Sequence, residues 1–267
     1  MPDKVVHPLD AALEFNQKDG QLTGHTSPAY MNMIGPFGGI TAAAMLKAIM
    51  VHPDVLGEPI TLTVNFAAAV QDGPFVLDAK AVRTGRSTQH WFVSMLQNDE
   101  VVTSATAVFA TRRKTWGTTD LPFPELPADM QTIDQSMMPP WARNYRFQFA
   151  QGIGPLTPNG KETSESIQMV RDEPPRPLDF VSLTAISDIF PPRVFIRRPK
   201  FVPAGTVSIT IYYHADGEAL NAHGDNELIG HARANRFYDR YFDQSAEIWT
   251  PSGDLLVTTT QIVYFKE

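Results

Sequence analysis

Asp188 is the residue in this 267-residue chain that is hardest to explain as plain scaffold. It falls inside LDFVSLTAISDIFPPRVF (178–195). Phe180, Val181, Leu183, Ala185, Ile186, Ile189 and Phe190 leave almost no polar face, so the spacing predicts a buried helix. Asp179 stands at the N-cap, where an acceptor satisfies free backbone N–H groups. Pro191-Pro192 ends the helix, because proline lacks an N–H and clashes with the preceding turn. Asp188 would then lie in the last turn, the negative end of the helix dipole. Val181, Thr184 and Ala185, on the same face, offer no cation. A carboxylate buried there without a partner is destabilised or holds its proton to higher pH. Such a group can take a proton from water. The other reading is a carboxylate that looks into solvent from a fraying helix end.

A second candidate is Gly38-Gly39, at the entrance to the helical run ITAAAMLKAIMV. Without side chains the backbone can approach a ligand or a strand closely. The free N–H groups of a helix start suit an oxyanion or a thioester carbonyl. A tight turn into a helix is the simpler reading. His214, His223 and His231 lie in or beside an acidic loop with Asp216, Glu218, Asp225 and Glu227. Their spacing fits no metal motif, and a charged surface loop accounts for them. Tyr212, Tyr213, Trp249, Phe242 and Trp91 could line an apolar channel or pack a core.

Composition narrows the field. Hydrophobic residues make up 43% and charged residues 19%, which marks a globular chain. A formal net charge of −7 argues against nucleic acid as a partner. No apolar run is long enough to span a bilayer, so no membrane partner is expected. The absence of Cys excludes disulfides, thiolate metal sites and cysteine nucleophiles. Nothing calls for a metal or cofactor. MPDKVVHPLDAALEF lacks the pattern of a signal peptide, so the expected location is cytoplasmic.

The elements that must position these residues come in two similar sets. Ala12–Phe15 and Gln21–His25 read as strands around Asp19-Gly20, before the Gly38-Gly39 helix. Strand patterns follow at Ile60–Ala69, Phe75–Arg83, Ser87–Gln97 and Glu100–Thr111, separated by short turns that imply antiparallel neighbours. Residues 112–140 carry scattered Pro and no period, as a linker does. Tyr145–Phe149, Thr163–Val170, the Asp188 helix, Thr206–His214, Glu227–Asn235, Phe242–Thr250 and Leu255–Phe265 repeat the plan. VVTSATAVFA (101–110) aligns without gaps on LVTTTQIVYF (256–265), and TLTVNF (61–66) on SITIYY (208–213). The first alignment puts Gln261 opposite Thr106. The expected class is α+β: two units, each an apolar helix wrapped by a curved antiparallel sheet, over 1–111 and 141–267.

This pattern resembles the double-hotdog acyl-CoA thioesterases, the thioesterase II or TesB-like family. GPFGGITAAAMLKAI (35–49), residues 61–110, PLDFVSLTAISDIFPP (177–192), TVSITIYYH (206–214) and SAEIWTPSGDLLVTTTQIVYF (245–265) carry the resemblance. It implies an acyl-CoA substrate, association into homo-oligomers, and a site of Asp, Thr or Ser, and Gln that holds a hydrolytic water. Asp188, Thr206 and Gln261 match those positions, the water lying between acid and amide. Ser208 and Thr210, expected on the same strand face as Thr206, are its alternates. Arg193, Arg197, Arg198 and Lys200 could hold the phosphates of CoA, with Arg197, Arg198, Gly38 and Gly39 as substrate-binding residues; the alternative is a solvated basic cluster.

The chemistry is consistent with that resemblance. With no Cys and no G-x-S-x-G elbow, a serine-esterase route is disfavoured. A carboxylate of raised pKa, oriented with a hydroxyl and an amide, can activate water instead. Two other functions fit the same scaffold. One is an enoyl-thioester hydratase or dehydratase, although His25 and His52 lie away from the helix centres. The other is a non-catalytic acyl-CoA binder.

Overall fold

The computed structural model describes residues 6–18, 20–136, 138–149, 160–198 and 200–266. Asp19, which opens the expected Asp19-Gly20 turn, lies outside them, as do the first five residues. The first half holds α1 (Pro8–Ala12), β1 (Asn16–Lys18), β2 (Gln21–His25), α2 (Gly38–Met50), β3 (Glu58–Phe66), β4 (Pro74–Thr84), β5 (Thr88–Gln97) and β6 (Glu100–Ala110). The second holds β7 (Gln131–Thr132), β8 (Tyr145–Phe149), β9 (Ser166–Asp172), α3 (Phe180–Ile186), α4 (Arg193–Arg197), β10 (Ala204–Tyr213), α5 (Gly217–His223), β11 (Leu228–Arg233), β12 (Phe237–Tyr238), β13 (Tyr241–Trp249) and β14 (Leu255–Phe265).

Among the described residues, all strands join one open antiparallel sheet of 14 strands, in the order β1-β2-β4-β5-β6-β3-β10-β14-β13-β11-β9-β8-β7, with β12 paired to β13. The duplication is plain in this order. β2-β4-β5-β6-β3 in one half corresponds to β9-β11-β13-β14-β10 in the other, and β3 meets β10 at the centre. These are the two tandem hotdog units expected from the sequence. α2 and α3 lie side by side inside the curve. Ten residues of α2 are buried and so are all seven of α3. Gly39 lets the two helices approach closely: a Cβ there would collide with the Ala185 carbonyl.

Several expectations need correction. The predicted strand Ala12–Phe15 overlaps α1, a short helix with Pro8 in its first turn and His7 Nδ1 accepting the Leu9 N–H at 3.1 Å. The 178–195 stretch is two helices. α3 stops at Ile186, where Ser187 Oγ donates back to the Leu183 carbonyl at 2.7 Å, and α4 starts after Pro192. Asp188 therefore sits in the turn just past the helix. The expected charged loop at 215–226 contains α5, capped by Asp216, which accepts the Ala219 N–H at 2.9 Å. The linker is largely irregular, but β7 pairs with β8, and Trp141 stacks on Phe37 with ring centroids 4.2 Å apart.

The repeat also slips by one residue. β3 and β10 each carry a bulge near the start, at Pro59/Thr61 and Thr206/Ser208, so TLTVNF and SITIYY do correspond. Leu62 pairs with Ala107, and its counterpart Ile209 pairs with Gln261. Gln261 thus stands in for Ala107, not Thr106. The gap-free alignment equates an outward residue with an inward one: Thr106 is exposed and Gln261 is buried. A one-residue slip reverses every side chain on a strand.

The N-cap gives a first prediction. Asp179 accepts the Ser182 N–H at 2.8 Å and Arg176 Nη2 at 2.6 Å. Asp179→Ala should lower unfolding free energy by about 1–2 kcal/mol, read from urea midpoints at constant slope.

Candidate active site

Three elements bring the site together. The turn after α3 supplies Asp188, the start of β10 supplies Thr206, and β14 supplies Gln261. Gln261 is 4% exposed and points into the curve beside Thr259 and Val263. Its Nε2 donates to Asp188 Oδ1 at 2.8 Å, and its Oε1 accepts from Thr206 Oγ1 at 3.1 Å. The amide is thus fixed in one orientation by a donor on one side and an acceptor on the other. The expectation of a water between acid and amide fails, because the two touch directly. Asp188 Oδ2 remains for other partners.

The bulge decides which hydroxyl belongs to the site. An extra residue in one strand reverses the in–out alternation beyond it. Beyond the bulge Ile209, Ile211 and Tyr213 face inwards. Ser208 and Thr210 therefore face outwards, and Thr210 Oγ1 meets Thr63 Oγ1 at 3.0 Å. Thr206, on the near side, turns in. Strand alternation alone put all three on one face, and that was wrong.

Asp188 also reaches across to the other unit. A Cβ on Gly38 would lie 2.5 Å from Asp188 Oδ2, and the Gly39 backbone N–H lies close to the carboxylate. Phe37, the residue before α2, gives the helix no side-chain cap. Asp188 fills that position from a distant part of the chain. Its own helix end disfavours a carboxylate, but the end of α2 is the positive one. Burial still dominates. It raises the carboxyl to about 7, against the Gln261 hydrogen bond and the Gly39 N–H, which favour the charged form. The solvent-facing reading of Asp188 is not what the fold adopts, though the side chain keeps some accessible surface.

The remaining candidates divide. Gly38 and Gly39 are at the site. Arg193 is not a surface cation: it is fully buried among backbone carbonyls. Arg197 and Arg198 are exposed at the end of α4, and Arg197 Nη1 donates to the Lys161 carbonyl at 2.8 Å. The histidines of the expected charged loop serve locally; His231, for instance, lies between Glu165 at 2.6 Å and Glu247 at 2.9 Å. Trp91, Tyr213, Phe242 and Trp249 are core residues, whereas Tyr212 is exposed.

Sequence reasoning missed the aromatic wall beside the α2 entrance. Phe37, Trp141 and Tyr145 pack there, with Tyr30 edge-on to Tyr145 at 6.5 Å. It also missed Asp172, a buried carboxyl on β9 that accepts from Ser182 Oγ at 2.5 Å. Burial raises Asp172 to about 6, against that hydrogen bond. Alternation along β8 and β9 was the signal available for both. A cavity of about 400 Å³ opens at the far end of α3, beside Asp179 and Phe180. Its cation, Arg176, is already bound to Asp10 and Asp179, so the cavity has none of the site's chemistry.

Comparison with known proteins agrees with this architecture. Residues 27–110 match the family model described as the acyl-CoA thioesterase N-terminal domain, and residues 119–265 match the acyl-CoA thioesterase C-terminal domain. A search of curated proteins returned no significant match. Among solved structures, a hot dog fold protein of unknown function from Alicyclobacillus acidocaldarius is 46% identical, with 98% of this chain and 99% of that one covered at a TM-score of 0.94. A putative thioesterase II from Thermobifida fusca is 16% identical over 99% of each chain, with a TM-score of 0.85. The acyl-CoA thioesterase II TesB2 of Mycobacterium marinum is 18% identical over 97% of this chain and 96% of that one, with a TM-score of 0.75. Identities of 16% and 18% speak to the fold alone; the domain matches carry the assignment, and the chain belongs to the TesB-like, double-hotdog family of acyl-CoA thioesterases.

Proposed function

We propose that this chain hydrolyses acyl-CoA thioesters to the free acid and CoA, with Asp188 as the base that activates water. One observation carries the reading: a buried carboxylate tied to an oriented amide at 2.8 Å, which a hydroxyl holds in turn at 3.1 Å. Gln261 occupies Oδ1 of Asp188, so the nucleophilic water binds at Oδ2. Water attacks the thioester carbonyl carbon and gives its proton to Asp188. The remaining free N–H groups in the first turn of α2, around Gly38 and Gly39, stabilise the oxyanion. The C–S bond then breaks, and the proton on Asp188 passes to the leaving sulfur. Thr206 acts through Gln261 by fixing the amide. Arg197 and Arg198, exposed at the end of α4, are the side chains we assign to the phosphates of CoA.

The duplication supports one site per chain. The first unit has Pro59 and Ala107 where the second has Thr206 and Gln261, and neither can orient a water.

Thiol release over a series of acyl-CoA chain lengths tests the reading. Asp188→Asn should lower kcat/KM by about 10²- to 10⁴-fold in a protein that remains folded. Wild-type protein that turns over no chain length would end the proposal. Activity should rise with pH, with a midpoint near 7, as the base ionises.

The same group should mark stability. It ionises near pH 4 in the unfolded chain but near pH 7 when folded. The folded state then binds the extra proton, so this contribution is full below pH 4 and is lost as pH rises to 7. Asp188→Asn should gain stability relative to wild type across that window and hold the difference constant above it. Paired urea melts at several pH values would show it; a difference that does not vary with pH contradicts the assignment.

A further inference from the structure

Arg193 is an unusual residue to bury. Its side chain is completely inaccessible, and among the described residues no carboxylate pairs with it. Burial pushes the guanidinium down to about 9. Every hydrogen bond it makes is to a neutral acceptor. Nε and Nη2 both reach the Pro191 carbonyl, at 2.9 and 2.5 Å. Nη1 reaches Ser166 Oγ at 2.6 Å, the Ser164 carbonyl at 3.1 Å and the Ala232 carbonyl at 3.3 Å. One planar fork thus ties the chain three residues beyond Asp188 to β9, to the segment before it and to β11.

Backbone hydrogen bonds do little to hold the turn. Pro191 and Pro192 have no N–H groups. The backbone N–H groups of Asp188 and Ile189 make long hydrogen bonds, at 3.3 Å, back to the Ala185 and Ile186 carbonyls. The edge of the Phe190 ring abuts Gly230 of β11, where a Cβ would come within 2.8 Å of it. Phe190 thus meets β11, and Arg193 ties the turn to both β9 and β11. On the other side, Asp188 must meet Gln261 and the Gly39 N–H together. An unpaired buried cation is a poor way to gain stability, since apolar residues of similar volume often serve as well or better. A rigid fork with five donors is a good way to fix a proline-rich turn.

The geometry points to Arg193 as a positioning residue, one that acts on the reaction only by holding the Asp188 turn against β9 and β11. This rests on the hydrolase reading for its kinetic test. Arg193→Met keeps the length and removes every donor; Arg193→Lys keeps the charge and loses the fork. Arg193→Met should reduce kcat about 10- to 100-fold, as a displacement of about an ångström does, with KM within about threefold. The pH midpoint of its activity should shift by about half a unit or more, because Asp188 loses its fixed partners. Arg193→Lys should recover part of kcat and part of the shift.

A kcat within about twofold of wild type for Arg193→Met overturns the inference, as does a loss that only tracks the unfolded fraction in a urea melt. Should Arg193→Met fail to fold, Arg193→Lys decides by the same measures: kcat lowered about fivefold or more in a folded protein supports the assignment, and a smaller loss rejects it. Titration of the Asp188 carboxyl by carbon-13 NMR keeps this separate from the hydrolase reading. If wild type hydrolyses no thioester, that reading falls alone. An Asp188 midpoint moved in Arg193→Lys then still supports positioning, and an unmoved one overturns it.

Discussion

The architecture turns on one carboxylate placed at the uncapped end of a helix from the other half of the chain. Asp188 follows α3, yet its oxygens face the first turn of α2. Two opposing effects meet there. Burial disfavours the charge, while the helix end and the Gln261 amide favour it. The outcome is a carboxyl that changes state near neutral pH instead of near 4, where an exposed aspartate would. A carboxylate fully compensated by cations would be too weak a base; one with no partner at all would stay protonated.

That balance depends on how closely two helices approach. Gly39 admits the Ala185 carbonyl, and a side chain at that point would push α3 and its turn away. Gly38 leaves room for the carboxylate itself. The two glycines thus have different tasks, one for helix packing and one for the acid. Around them Phe37, Trp141 and Tyr145 pack against one another, and burial of the acid keeps its pKa raised.

Duplication built the scaffold, and divergence placed different side chains at matching positions of the two units. Both units retain the strand order, the central apolar helix and the bulge at the start of the strand that meets its twin. A bulge in β10 aims Thr206 inwards; the same bulge in β3 aims nothing polar, because Pro59 stands there. Gln261 extends an amide into the curve, and Ala107 ends at a methyl group. A shared backbone device therefore serves structure in one unit and site geometry in the other.

Most of the architecture was legible in the residues. Apolar periodicity identified α2 and α3, alternation identified the long strands, and the repeated order implied tandem units. Asp188 was suspect because no cation shared its face, and that argument needed no coordinates. Short elements such as α1, α4 and α5 escaped, since five to seven residues give a period too little length to register. The tertiary structure alone decided the rest. It set the register between halves, which a single bulge shifts without a trace in composition. It turned Thr206 inwards and Ser208 outwards, brought Asp188 to the α2 end, and converted Arg193 from an apparent surface cation into an internal anchor. Local sequence encodes periodicity, but which face meets which partner follows from strand register and helix crossing, and both are fixed only when distant segments pack together.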